Sequence, residues 1–265
     1  MPDSMDAPPE ASRFEKVNFI FFDLDDTLCG YWDACKIGLR KTFALHGPDG
    51  VSPEEMVQHW AAAFREFSPT LKKTHWYQGY LLEGEPTRTE QMRLTLKRLG
   101  IEDEERAQLL SQTYARERDD HLELFEEAKE VLDTLKPRYP MGLITNGPAD
   151  IQRQEIATLG IESYFSHIFI EGEMGRGKPL PEVFEAIARE IDRKPEQILF
   201  VGNSYAHDVK PALLADWRAV WIRRPSDVPP SSASQQAKPE ERSEADPVPD
   251  AVIGDLRELL PILGP

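Results

Sequence analysis

Cysteine is scarce: Cys29 and Cys35 are the only two in 265 residues. That is too few for a disulfide framework, and a reduced pair fits a cytosolic protein. Basic residues are also short, with 31 Lys plus Arg against 47 Asp plus Glu and a formal net charge of −16. Such a surface repels polyanions, so nucleic acid is not an expected partner. Long hydrophobic runs are missing. Stretches such as Asn18 to Phe22 and Ala219 to Ile222 fall far below the ~20 residues that cross a bilayer, so no membrane partner is expected. Residues 1–13 lack the basic start and apolar stretch of a secretion signal, and a cytoplasmic location is the expectation. The histidines (His46, His59, His75, His121, His167 and His207) have no zinc-like spacing. No repeat of solenoid period is visible.

What is present is an ordinary globular composition, 40% apolar and 29% charged, on a length that suits one main domain with a smaller module. Val17 to Phe22 is an apolar, aromatic-rich run that ends abruptly in Asp23-Leu-Asp-Asp-Thr27. Runs of that kind read as strands buried on both faces of a parallel sheet. Further strands are expected at 140–145, 166–170, 198–201, 218–222 and 251–253, with helices between them. The helices start at Pro148 and Pro181, after 201 and at Leu256. From Asp33 to about His121 only helical patterns occur. Met56, Trp60, Phe64 and Phe67 follow the capping pair Ser52-Pro53, and Met92, Leu96 and Leu99 precede Gly100. The alternation predicts an α/β fold, a doubly wound parallel sheet interrupted early by an inserted helical module. Pro225 to Pro249, rich in proline, serine and charge, is expected to be a flexible excursion.

In open α/β sheets ligands bind beyond the carboxyl ends of the strands. The polar residues there are Asp23, Asp25 and Thr27 after the first strand, Thr145 and Asn146 after the second, Lys178 before a helix, and Asn203 and Asp208 after the fourth. Together they supply carboxylates for a hard cation, a lysine and a hydroxyl for an anion, and an aspartate able to attack phosphorus.

The strings Phe-Phe-Asp23-Leu-Asp25-Asp-Thr27-Leu, Leu-Ile-Thr145-Asn-Gly, Gly-Lys178-Pro-Leu-Pro-Glu-Val-Phe and Val-Gly-Asn203-Ser-Tyr-Ala-His-Asp208 resemble, in order and spacing, the four signatures of the haloacid dehalogenase-like (HAD) phosphatase superfamily. The likeness runs over roughly residues 16–224, and the helical module lies where that family carries its C1-type cap. The resemblance implies a Rossmann-like core at 14–29 and 122–265 and a helical cap at 30–121; disorder is expected at 1–13 and, from composition, at 225–249. It implies a magnesium-dependent phosphomonoesterase for a small phosphorylated metabolite: a nucleotide, flavin nucleotide, sugar phosphate or phosphoglycolate. In that reading Asp23 is the nucleophile and Asp25 the general acid and base, while Thr145, Asn146 and Lys178 bind phosphate. Asp23, Asp25 (through its carbonyl), Asn203 and Asp208 hold Mg2+, in a monomer or homodimer.

Asp25 discriminates within the family. Dehalogenases proper have no acid two positions after the nucleophile, because carbon–halogen displacement needs no proton on the leaving group, so 2-haloacid dehalogenase is the weaker alternative. Asn203 is a departure, since most of these phosphatases have aspartate there. It is the only feature favouring a non-catalytic phosphometabolite-binding protein. In the cap, Tyr31 and Trp32 stand at the hinge, and Lys72 to Tyr80 combines two cations with three aromatics. Trp76 and Tyr80, spaced i to i+4, are read first as cap core, and Arg93 as the partner of Glu90. Cys29 is assigned no role.

Overall fold

A computed structural model describes residues 13–232 and 242–264. The apolar run forms strand β1 (Phe19–Phe22), all four residues buried. Its side chains alternate between faces, as the two-residue period of a strand demands. Phe19 and Phe21 pack with Phe184, Phe200 and Trp217, while Ile20 and Phe22 join Val131, Leu132 and Val201 on the other side. A strand greasy on both faces needs helices above and below it, and both layers are present.

The chain next makes five helices: α1 (Tyr31–His46), α2 (Pro53–Phe67), α3 (Trp76–Leu82), α4 (Glu85–Lys97) and α5 (Glu104–Asp119). Ser52 caps α2 by accepting from the Glu55 N–H, with Pro53 in the first turn. Cys35, Leu39, Met56, Trp60, Met92, Leu96, Leu110 and Tyr114 give this layer a core of its own. Entry and exit lie side by side: Gly30 N–H donates to Glu123 O at 3.1 Å, and Cys29 bridges Leu124.

Helix α6 (Ala128–Leu135) leads into β2 (Met141–Thr145), then α7 (Ala149–Leu159) and β3 (His167–Ile170). A short α8 (Glu171–Met174) and α9 (Pro181–Glu190) precede β4 (Ile198–Gly202). After a wide turn at Tyr205–Val209 come α10 (Lys210–Leu214), β5 (Arg218–Ile222), β6 (Ala251–Ile253) and α11 (Leu259–Ile262). The six strands run parallel in the order β3-β2-β1-β4-β5-β6. The chain winds outward from β1 in one direction and then the other, so the crevice lies beyond the carboxyl ends of β1 and β4. No helix is long and apolar enough to cross a membrane among the described residues.

Two expectations need correcting. Trp76 and Tyr80 are only half-buried and lie outside the helical core; their short helix α3 bridges α4 and α8. The described flanks of the proline-rich stretch are also tied down. Tyr205 donates to Pro247 O, Lys210 pairs with Asp246, and Arg65 of α2 donates to Ser231 O, each at 2.6 Å. Composition predicted mobility because it counts apolar burial, whereas these flanks are held by charge-assisted and backbone hydrogen bonds. The same expectation for residues 1–12 and 233–241 lies outside the described residues.

Candidate active site

Asp23 follows directly on β1, with its N–H bonded to Val201 O at 3.0 Å, which fixes it at the sheet crevice. Its Oδ1 accepts from Lys178 Nζ at 2.7 Å and its Oδ2 from Thr27 Oγ1 at 3.0 Å. Lys178 is 2% exposed and also donates to Asp208 Oδ1 at 2.6 Å. Asp208 in turn accepts the Ser204 N–H through Oδ2 at 2.9 Å. This approach needs Gly202, because a Cβ there would lie 2.5 Å from the Asp208 side chain. Lys178 is set in place by Asn146, whose amide accepts from the Lys178 N–H at 2.9 Å and donates to its carbonyl at 2.8 Å. The Asn146 side chain, expected to bind phosphate, is therefore spent on the Lys178 backbone.

Charge in this cluster is balanced by proximity. Burial raises Asp23 to about 6; Lys178 limits the rise and Asp208 adds to it. At neutral pH it is therefore largely a carboxylate. Burial works against the charge on Lys178, yet Asp208 and Asp23 outweigh it and hold the ammonium above the usual lysine range. Asp25 differs. Burial, reinforced by Glu155, Asp23 and Asp26, pushes its carboxyl well above the usual range, which favours the protonated form. Burial thus raises both aspartates, but Asp23 alone has the Lys178 ammonium in contact to favour its charged form, a difference of surroundings of the kind that separates a nucleophile from an acid.

Several participants carry no sequence signature. Gln152 on α7, 3% exposed, accepts from Thr145 Oγ1 at 2.5 Å and places its Nε2 3.4 Å from Asp25 Oδ2 and 2.8 Å from Glu155 Oε2. Glu155 pairs with Arg118 of α5 at 3.4 Å, so the inserted helices reach Asp25 through one chain of contacts. Asp227, in the loop after β5, accepts from Asn203 Nδ2 at 2.9 Å. A carboxylate accepts only, so the amide nitrogen must face Asp227 and Oδ1 must face Thr27 Oγ1, 3.3 Å away. Polar spacing on a helix or in a loop looks like ordinary surface, and only the tertiary fold buries these groups.

The donors facing Asp23 on this side are all oxygens: Asp23 itself, Thr27 and Asn203. That chemistry suits a hard cation such as Mg2+. Among the described residues no three Asp, Glu, His or Cys side chains form a ready metal cluster, so neutral oxygens have to complete the set.

Asp23, Asp25, Thr145, Asn146, Asn203 and Asp208 all line one cavity of about 770 Å³. Its far wall comes from the inserted helices, including Trp60, Phe64, Arg88 and Arg118, with Tyr31 and Trp32 at the hinge. The Lys72–Tyr80 stretch contributes Tyr80, while Lys72 and Tyr77 both donate to Glu171 at 2.7 and 2.8 Å. Arg93 forms the expected pair with Glu90, at 2.6 and 2.7 Å.

Comparison with known proteins agrees with this geometry. A phosphoserine phosphatase of Thermus thermophilus is 35% identical over 156 residues, 58% of this chain and 57% of that protein. The human N-acylneuraminate-9-phosphatase is 23% identical across 94% of both chains. Among solved structures, the HAD-hydrolase YfnB of Bacillus subtilis, bound to magnesium, superposes with a TM-score of 0.71 at 22% identity, covering 94% of this chain and 99% of its own. A 2-haloacid dehalogenase from Pseudomonas syringae pv. Tomato reaches 0.62 at 25% identity, covering 93% and 98%. Residues 17–216, more than half of the chain, match the haloacid dehalogenase-like hydrolase family, and residues 175–259 match a second HAD-hydrolase-like pattern. The chain belongs to the haloacid dehalogenase-like hydrolase family.

Proposed function

We propose that the protein is a phosphomonoesterase that hydrolyses a small phosphorylated metabolite through an aspartyl-phosphate on Asp23. The observation that carries this reading is the contrast between Asp23, whose carboxylate is held by Lys178, and Asp25, which burial and neighbouring carboxylates push toward its protonated form in the same cavity. Asp23 attacks phosphorus while the ester oxygen leaves with the proton of Asp25. Asp25, now a carboxylate, takes a proton from the water that attacks the acyl phosphate. The phosphorus–Asp23 bond breaks, inorganic phosphate departs and both aspartates return to their starting states. The Lys178 ammonium, with two of its three N–H groups on Asp23 and Asp208, offers the third to a phosphoryl oxygen, while the Thr145 hydroxyl donates to Gln152 and shapes the same wall of the cavity. Gln152 keeps Thr145 and Asp25 in register.

Magnesium, held by Asp23, the Asn203 amide oxygen and the Asp25 carbonyl, supplies the positive charge that lets a dianionic ester approach so acidic a pocket. Asp208 bonds Lys178 and the Ser204 N–H, which positions Lys178, and it remains within the proposed set of oxygen ligands. We take residues 14–29 and 122–265 as the catalytic core and 30–121 as the cap. The paired crossing at Cys29 and Leu124 supports that division, as does the interdomain movement described for YfnB. The phosphatase relatives support the substrate class, and residue roles rest on the geometry above.

The dehalogenase fold neighbour keeps one rival reading in view, and Asp25 argues against it, because halide leaves without a proton. Incubation with p-nitrophenyl phosphate and with a 2-haloacid, each with magnesium or chelator, separates the two. Phosphate release that needs magnesium supports the proposal. Halide release without phosphate release overturns it.

A further inference from the structure

Arg88 is a cavity-lining arginine without a salt bridge among the described residues. On α4 and α5 the other arginines each have a carboxylate partner: Arg93 with Glu90, Arg106 with Asp103, Arg116 with Glu117, and Arg118 with Asp119 and Glu155. Arg88 is half-buried, and its Nε donates to the carbonyl and the hydroxyl of Ser111, both at 3.2 Å. Among the described residues no carboxylate forms an ion pair with it. It lines the same cavity as Asp23 and Asp25. Burial and the nearby Arg118 work against its charge and Glu85 and Asp119 only partly offset them without touching it, so a partly desolvated guanidinium with no carboxylate in contact gains from an anion placed against it.

The chemistry of that missing partner can be read from what remains free. With Nε committed to Ser111, the guanidinium presents its two terminal nitrogens as one planar edge, which matches the two oxygens of a carboxylate. A second dianionic phosphoryl group would leave one charge uncompensated against a single arginine, in a cavity that already holds Asp23, Asp25 and Asp26. The walls between the two ends are largely aromatic, with Trp32, Trp60, Phe64 and Phe67, and suit a compact carbon body.

We infer that Arg88 forms a carboxylate subsite at the leaving-group end of the cavity, and that the substrate is a phosphate monoester whose alcohol portion carries a carboxylate. This rests on the phosphatase reading of the Asp23 end. It narrows the substrate class to phosphorylated hydroxy acids and places the discriminating contact on α4.

The test compares esters that differ only in that group: phosphoserine with phosphoethanolamine, and phosphoglycolate with ethyl phosphate. In the wild-type protein kcat/KM favours the carboxylated member of at least one pair by ten-fold or more, as expected for a charge-assisted hydrogen bond. Arg88→Gln and Arg88→Met reduce that ratio about ten-fold or more, and Arg88→Lys recovers part of it. Calorimetric binding of the favoured ester to Asp23→Asn, with and without Arg88→Gln, gives a readout that does not need turnover. Equal kcat/KM for both members of every pair in wild type overturns the subsite while leaving the phosphatase reading intact, and it does so without any Arg88 variant. A preference that survives in all three variants also overturns it. Release of no phosphate from any ester overturns both readings.

Discussion

At the core end of the cavity Lys178 has two carboxylates within 2.7 Å, whereas at the cap end Arg88 has none among the described residues. The core end carries its own counter-ion before any ligand arrives, although its carboxylates still outnumber that one ammonium. Its geometry is therefore fixed in advance, as electrostatic preorganisation of a reaction centre requires. The cap end is chemically incomplete and becomes satisfied only when a ligand contributes an anion, which is the form a recognition element takes. The seam between them is the buried Arg118–Glu155 pair and the Gln152 contact that follows it. One cavity thus separates a finished centre, where a substitution disturbs chemistry, from an unfinished one, where it disturbs selection.

The largest effect should come from the core end. Asp23→Asn keeps shape but removes the nucleophile, and phosphate release should fall below ~0.1% of wild type. Circular dichroism should show an intact fold, and beryllium fluoride should no longer be retained. Residual turnover above a few per cent would break the comparison, because the reacting group would then lie elsewhere. Asp25→Asn follows, with a loss of about 10²–10⁴-fold from a missing proton donor. That loss should be smaller for p-nitrophenyl phosphate than for an alkyl ester, since nitrophenolate leaves without a proton. An equal loss on both esters would argue against the acid role.

A smaller effect tests whether the core end is balanced as a unit. Asn203→Asp alone sets a carboxylate against Asp227, which now accepts from Asn203 at 2.9 Å, and should cost about 1–3 kcal/mol in urea denaturation without metal. Adding Asp227→Asn transposes the pair and should restore most of that loss, with tighter magnesium binding than wild type by calorimetry. A double variant no more stable than the single one would show that the two side chains do not work together.

The smallest effect concerns the seam. Burial raises Glu155 to about 7 from 4.5, with Arg118 limiting the rise. The folded state therefore holds this proton more tightly than the unfolded chain. The stability it contributes is complete below pH 4.5 and is lost as pH rises through about 7. Glu155→Gln has no such loss, so the variant-minus-wild-type difference in Tm should grow by ~2–6 °C from pH 5 to pH 8. A difference that shrinks over that range would contradict the direction of the shift.

The sequence made the sheet and the reacting centre readable for a physical reason. Strands buried on both faces must be continuously apolar, so Phe19–Phe22 and Ile198–Gly202 announce themselves, and Asp23 and Asn203 stand where those runs stop. What stayed hidden depends on partners from elsewhere in the chain. Gln152 and Glu155 look like the polar face of an exposed helix until Arg118 covers them. Asp227 sits in a stretch whose composition suggests solvent, and it acquires a role only because β5 delivers it beside Asn203. Trp76 and Tyr80 have the spacing of a helix core, but their seven-residue helix lies at the edge of the inserted layer, against α8 as well as its neighbours, and neither side chain joins the helical core.

The side-by-side crossing at Cys29 and Leu124 has a consequence for how such proteins diversify. Because the chain leaves and re-enters the sheet at one spot, the whole stretch between behaves as a cassette whose ends are already clasped. Exchanging it for a longer, shorter or differently lined insert moves neither Asp23 nor Lys178. Closing the core over a different insert costs little extra chain entropy, since that cost grows only slowly with loop length. Grafting a foreign insert between Gly30 and Glu123 would leave Asp23 and Lys178 in place and change the molecule presented to them, provided the insert replaces the Arg118 contact with Glu155.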